Sequence, residues 1–171
     1  MSPQLRQINV SYIDKEDRLL LRVSTSVDSE YRLWCTRRFT KLLLDRFDDL
    51  FQQEVAVTVP APPQARREVA QMQHNLAVSE EAFSKTYEAQ PTEYPLGESG
   101  LLVTTIKYNK LSAGGLQLQF TDGGDKGMAL NLTDALQHQL YELFLRAAEK
   151  AGWIVGGKTG TKAPTADAVV H

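Results

Sequence analysis

A chain of 171 residues with a formal net charge of -2 and 42% hydrophobic content suits one domain with a sizeable core; such domains bury roughly 70% of their unfolded surface. The near balance of charge excludes a global field drawing the protein to DNA or to an anionic membrane. Cys35 is its one cysteine, which excludes an internal disulfide and fits a reducing, cytoplasmic compartment.

No charged segment followed by an apolar run opens the chain, so no secretory signal is expected. No apolar stretch approaches the roughly 20 residues that span a bilayer, so no membrane contact is expected. Leu5, Ile8, Val10 and Tyr12 give a mostly alternating pattern that predicts a strand over 5–13, and "DKED" supplies a turn. "RLLLRVST" (18–25) and "EYRLWCT" (30–36) predict two more strands around the polar turn "SVDS", completing an antiparallel meander.

From Thr36 the period becomes helical, with Phe39, Leu42, Leu43, Phe47, Leu50 and Phe51 as the apolar stripe and Thr36 as N-cap. Three prolines in "VTVPAPPQA" (57–65) end that helix. A second helix is predicted from about Ala65 to Phe83, with Val69, Met72, Leu76 and Phe83 along one side, followed by a loop over 86–100. "LLVTTIKYNKL" (101–111), "GLQLQFTD" (115–122) and "GMALNLT" (127–133) predict three further strands. A final helix from Asp134 to Gly152 carries Leu136, Leu140, Leu143, Phe144 and Ala147. The stretch 156–171 is small and polar and is expected to be a disordered tail.

Strand-strand-strand-helix thus occurs twice, and a constant offset of 97 residues aligns the halves without a gap. Leu19, Leu21 and Val23 meet Leu116, Leu118 and Phe120. Tyr31, Leu33 and Cys35 meet Met128, Leu130 and Leu132. In the helices, Phe39, Leu43, Phe47 and Leu50 meet Leu136, Leu140, Phe144 and Ala147, and Thr36 meets Thr133. Every one of the strand and helix pairs is apolar on both sides and falls on an inward face. The expected fold is therefore α+β, with tandem β-β-β-α units (about 5–58 and 101–155) packed as one pseudo-symmetric domain over 1–155. The helix and loop of about 60–100 are inserted between the repeats. Convergence of two amphipathic units on one pattern is the alternative.

If Leu19, Leu21 and Val23 face inward, Arg22, Arg32 and Trp34 share the opposite surface, followed by Arg37, Arg38 and Lys41 at the helix start. An aromatic ring among guanidinium groups is what a stacked base beside a phosphate requires. Thr36 with two arginines at a helix N-terminus adds an anion site. The structural alternative pairs Arg37 and Arg38 with Asp28 or Glu30 and buries Trp34. The equivalent face of the second repeat, Gln117, Gln119, Thr121, Ala129 and Asn131, carries neither charge nor ring. In layout the tandem units resemble the single-strand nucleic-acid binders of the Whirly and PUR type, which have four strands per unit where three are read here.

Chemistry has less support. His74, His138 and His171 are widely spaced and lack acid or cysteine partners at ligand spacing, so no metal site is expected, and His74 and His138 read as solvated helix residues. Cys35 falls on the core face and reads as a small buried hydrophobe. "GGLQLQFTDGGDKG" lacks the strand-to-helix setting of a phosphate loop. No cofactor and no catalytic residue is assigned. The expected function is a non-catalytic binding or assembly module acting through protein contacts or self-association, with Val69, Met72, Leu76 and Phe83 as candidate contacts. The alternative is single-stranded nucleic acid or another polyanion bound through Arg22, Arg32, Trp34, Thr36, Arg37, Arg38 and Lys41.

Overall fold

Alternation decides the strands. In β2 (Arg18–Thr25) Leu19, Leu21 and Val23 are buried, while Leu20 and Arg22 on the other face are half-buried. The computed structural model describes residues 4–78, 83 and 85–155, so the expected tail at 156–171 lies outside the described residues. Among the described residues it is α+β, with two sheets and three helices in the order β1 (Leu5–Ile13), β2, β3 (Glu30–Cys35), α1 (Arg37–Thr58), α2 (Pro63–Ala77), β4 (Leu101–Leu102), β5 (Thr105–Lys110), β6 (Leu116–Thr121), β7 (Gly127–Leu132) and α3 (Asp134–Lys150). No helix among them is long and apolar enough to cross a membrane.

The first sheet has the order β1-β2-β3-β4 and the second β5-β6-β7. The strand expected over 101–111 is in fact two. Leu101 and Leu102 pair parallel with Leu33 and Trp34 of β3, the chain turns at Val103 and Thr104, and Thr105–Lys110 pairs with β6. The crossing is hydrogen-bonded to both sheets, Val103 N–H donating to the Trp34 carbonyl at 2.9 Å and Thr104 N–H to the Thr121 carbonyl at 2.9 Å. The first sheet therefore gains a fourth, parallel strand.

The two helices that follow the meanders start alike. Thr36 and Thr133 both have extended φ/ψ, and their hydroxyls accept from Phe39 N–H and Leu136 N–H, so each satisfies an orphan donor of its first turn. β3 and β7 likewise stand 97 residues apart at both ends. The end of α3 is closed by Gly152 at φ +71, with Gly152 N–H donating to the Glu149 carbonyl and Trp153 N–H to the Ala148 carbonyl. These two bonds satisfy carbonyls the helix leaves open, and the positive φ explains the glycine.

One core joins both sheets with α1 and α3. Within it each helix reaches the other half's sheet. Phe39 of α1 lies 6.4 Å from Phe120 of β6, and Arg46 of α1 covers the Tyr108 ring of β5. Trp153, just beyond α3, meets Tyr12 of β1 edge-on at 5.8 Å. The α1 stripe differs from expectation at one point: Leu42 is exposed, and Leu44 is buried in its place, because the stripe drifts around the helix at 3.6 residues per turn.

Candidate functional site

The outer face of the first sheet carries the arginines and the tryptophan together. β2 and β3 set Arg22 opposite Arg32 and Leu20 opposite Trp34. The chain itself covers this face. A strap, residues 85–100, is tied down through Thr92 N–H to the Asp28 carbonyl and Glu30 N–H to the Glu93 carbonyl, both at 2.9 Å. Its Tyr87 ring lies under the Arg22 guanidinium at 4.4 Å and its Tyr94 ring under Arg32 at 4.5 Å. The Trp34 indole N–H donates to the Ser99 carbonyl at 2.8 Å, and Arg32 donates to the Glu98 carbonyl at 2.7 Å. A half-buried Trp34 thus has a cover, supplied by the strap.

Glu30 organises this layer. Its carboxylate, only 2% exposed, accepts from Arg32 Nε at 2.6 Å and from the Tyr87 hydroxyl at 2.9 Å. Burial, then the bond to Glu30, push the Tyr87 hydroxyl pKa up, and the bond to Glu30 raises that of Arg32. Both shifts favour the protonated donor that the carboxylate needs. Arg22 meanwhile donates to Asn9 Oδ1 through Nε and Nη2. Gly100 ends the strap at φ +84, where an added Cβ would stand 3.0 Å from both the Arg32 carbonyl and Trp34 Nε1.

Beyond the strap, the start of α1 is open. Arg37, Arg38 and Lys41 are exposed; Lys41 pairs with Asp45 at 2.6 Å. Arg37 and Arg38 have no ion pair among the described residues, and the acids considered for them are taken, Asp28 by Arg6 and Glu30 by Arg32. The structure therefore separates the seven residues assigned to an anion site: Arg22, Arg32 and Trp34 are engaged internally, while Thr36 caps its own helix and Arg37, Arg38 and Lys41 face water.

On α2 the buried positions are Ala70 and His74, neither of which belongs to the expected stripe. Met72 and Leu76 are 57% and 82% exposed, and Val69 is half-buried. Phe83, also half-buried, lies under the Arg146 guanidinium at 4.2 Å.

The two histidines expected in solvent are in the interior, and they touch. His74 is 0% and His138 9% exposed, with their Nδ1 atoms 3.0 Å apart. His74 Nε2 donates to Glu142 Oε2 at 2.9 Å, and Arg146 Nε donates to Glu142 Oε1 at 3.0 Å. Phe51 of α1 stacks on the His138 ring at 4.1 Å, and the Tyr141 hydroxyl donates to buried Asp48 at 3.0 Å. Burial, and then the neighbouring His74, lower the His138 pKa to about 4. Burial pushes the Glu142 carboxyl up, but hydrogen bonds from His74 and Arg146 outweigh it and leave the carboxyl below its ordinary value. The 3.0 Å Nδ1···Nδ1 contact is a hydrogen bond in which one ring donates and the other accepts.

A polar cluster of this kind pins three helices together, since buried polar groups need partners. The sequence does carry a signal for it: His138, Glu142 and Arg146 recur at i, i+4 and i+8, on one face of α3. The nitrogens of His74 are committed to separate partners, and among the described residues no group of three or more His, Cys, Asp or Glu is arranged to hold a metal ion. Cys35 is buried, and burial raises its thiol pKa.

No protein-family model, curated protein or solved structure matches this chain.

Proposed function

We propose that this chain is a non-catalytic binding module, built from a duplicated β-β-β-α unit, that acts through protein contacts on the outer side of α2. One observation carries the reading: Met72 and Leu76, four residues apart, stand 57% and 82% exposed on a helix anchored from its other side by Ala70 and His74. Neighbouring apolar side chains on a held helix offer burial to a partner helix or sheet without a cost in ordering the helix itself, and Met adapts to varied surfaces.

A photocrosslinking residue placed at Leu76, with a second copy of the experiment at exposed Gln53, tests this. Leu76-specific adducts to another protein or to a second copy of the chain are expected, lost in a Met72→Glu variant with an unchanged melting curve. Adducts equal at both positions would reject the reading.

A second reading, binding of single-stranded nucleic acid or another polyanion, retains one supporting observation, the unpaired and exposed Arg37 and Arg38 beside the Thr36 cap. It predicts salt-sensitive binding of a labelled mixed-sequence oligonucleotide, read by fluorescence anisotropy. The log-log salt slope should be about -0.7 per neutralised phosphate, and the binding should vanish in Arg37→Ala/Arg38→Ala.

A further inference from the structure

Side chains along a strand point alternately to its two faces, so a cleft touched by consecutive residues borders the strand's edge. Two clefts do this along β1. One, of about 370 Å³, is lined in succession by Leu5, Arg6, Gln7, Ile8 and Asn9. The next, of about 830 Å³, continues through Asn9, Val10, Ser11 and Tyr12. Phe83 borders both, and α3 forms the opposite wall. On that wall Leu136, Leu140 and Leu143 recur at i, i+4 and i+7, a single apolar stripe.

β1 is the outermost strand of its sheet, with β2 as its one ladder partner among the described residues. Nine residues at about 3.3 Å each give an edge of roughly 30 Å. Edges of such length are usually shortened, bulged or charged against stray pairing; here a single irregularity interrupts the register, between Leu5 and Gln7. The groove also has a sign. Arg6, which also pairs with Asp28 at 3.7 Å, and Lys85 line the first cleft with no acid, and Arg146 and Lys150 stand against Glu149 in the second.

We propose that the groove between β1 and α3 takes an extended acidic peptide, which adds to β1 as a further strand. Main-chain hydrogen bonds along the edge supply affinity. Alternate side chains of the peptide meet half-buried Leu136 and Leu143, beneath which Leu140 is fully buried, and its carboxylates meet Arg6 and Lys85. This surface is distinct from the outer side of α2 and stands or falls apart from it.

The test uses two blocked octapeptides, one alternating glutamate with valine and one alternating lysine with valine, titrated into the full chain and followed by amide NMR shifts and hydrogen exchange. The glutamate peptide is expected to protect alternate β1 amides, and the lysine peptide to bind about tenfold more weakly. The exposed double variant Lys85→Glu/Lys150→Glu should reverse that order with an unchanged melting curve, and Leu143→Asp should weaken both peptides. Equal affinity for the two peptides, binding that leaves β1 amides unprotected, or protection that rises with protein concentration without peptide would each overturn the proposal. The last would mean that a second copy of the chain fills the edge.

Discussion

At the scale of single residues, the His74–His138 contact has the clearest consequence. His138 is held neutral, with a pKa near 4 in the folded chain against about 6.5 in the unfolded chain. The unfolded state therefore binds the extra proton first. The stability tied to the neutral ring is complete above about pH 6.5 and is lost as pH falls toward 4. Glu142, whose folded pKa is also lowered, acts in the same direction further into acid, because protonation removes the partner of His74 and Arg146. Allowing for the part of the ring that water reaches, the His138 contribution is about 2 kcal/mol. The thermal midpoint should drop between pH 7 and pH 4.5, and His138→Gln, which keeps a hydrogen bond but cannot titrate, should flatten that drop.

Gly97 and Gly100 separate two reasons for a glycine. Both have positive φ, +88 and +84, yet a Cβ at Gly97 would meet nothing within 4 Å, whereas at Gly100 it would press on the Arg32 carbonyl. Gly97→Ala should cost about 1 kcal/mol for the left-handed backbone alone. Gly100→Ala should cost roughly 1–3 kcal/mol, and it should speed hydrogen exchange at the strap-bonded amides of Glu30 and Thr92. Equal losses from the two variants would show that the strap does not press on the sheet.

At the scale of elements, the start of α1 is a mismatch between charge and dipole. Its first turn contains Arg37 and Arg38 and no acid, while α3 opens with Asp134. Partial positive charge at a helix start favours acids, by about 0.3–1 kcal/mol each. Arg37→Glu/Arg38→Glu should therefore raise the thermal midpoint, by less at high salt; a lowered midpoint would mean that the arginines support the fold. The two threonine caps, alike in geometry, should each lose about 1 kcal/mol on replacement by Ala. Arginines that cost stability and face solvent are the sequence feature still in search of a ligand, and they are why the polyanion reading keeps its test.

At the scale of the molecule, the exchange of helices between sheets binds the halves to each other. α1 lies against β5 and β6, and the residues following α3 lie against β1. Separating the halves would strip the core from both sheets. Fragments split between Gly100 and Leu101 should each lack a cooperative melt alone and recover one when mixed, as two-state behaviour of a shared core requires. Independent melting of either fragment would mean that the units are self-sufficient.

The elements and the caps of α1 and α3 follow from the chain's local patterns, because period-2 and period-3.6 apolar spacing and a threonine before those two helices are signals among near neighbours. Thr36, Thr133, Gly152 and the buried faces of β2, β3, β6 and β7 were all legible from neighbours a few residues away. What those faces meet depends on packing between distant segments. The break in 101–111 follows from two sheets competing for one stretch of chain, and both sheets end up hydrogen-bonded at Val103 and Thr104. The strap over Arg22, Arg32 and Trp34 joins residues more than 60 positions apart, beyond the reach of any local pattern. His74 read as solvated because polarity is a property of the residue, while burial depends on partners. Its partners, His138 and Glu142, lie 64 and 68 residues further along, and only packing of α2 against α3 puts them within hydrogen-bond distance.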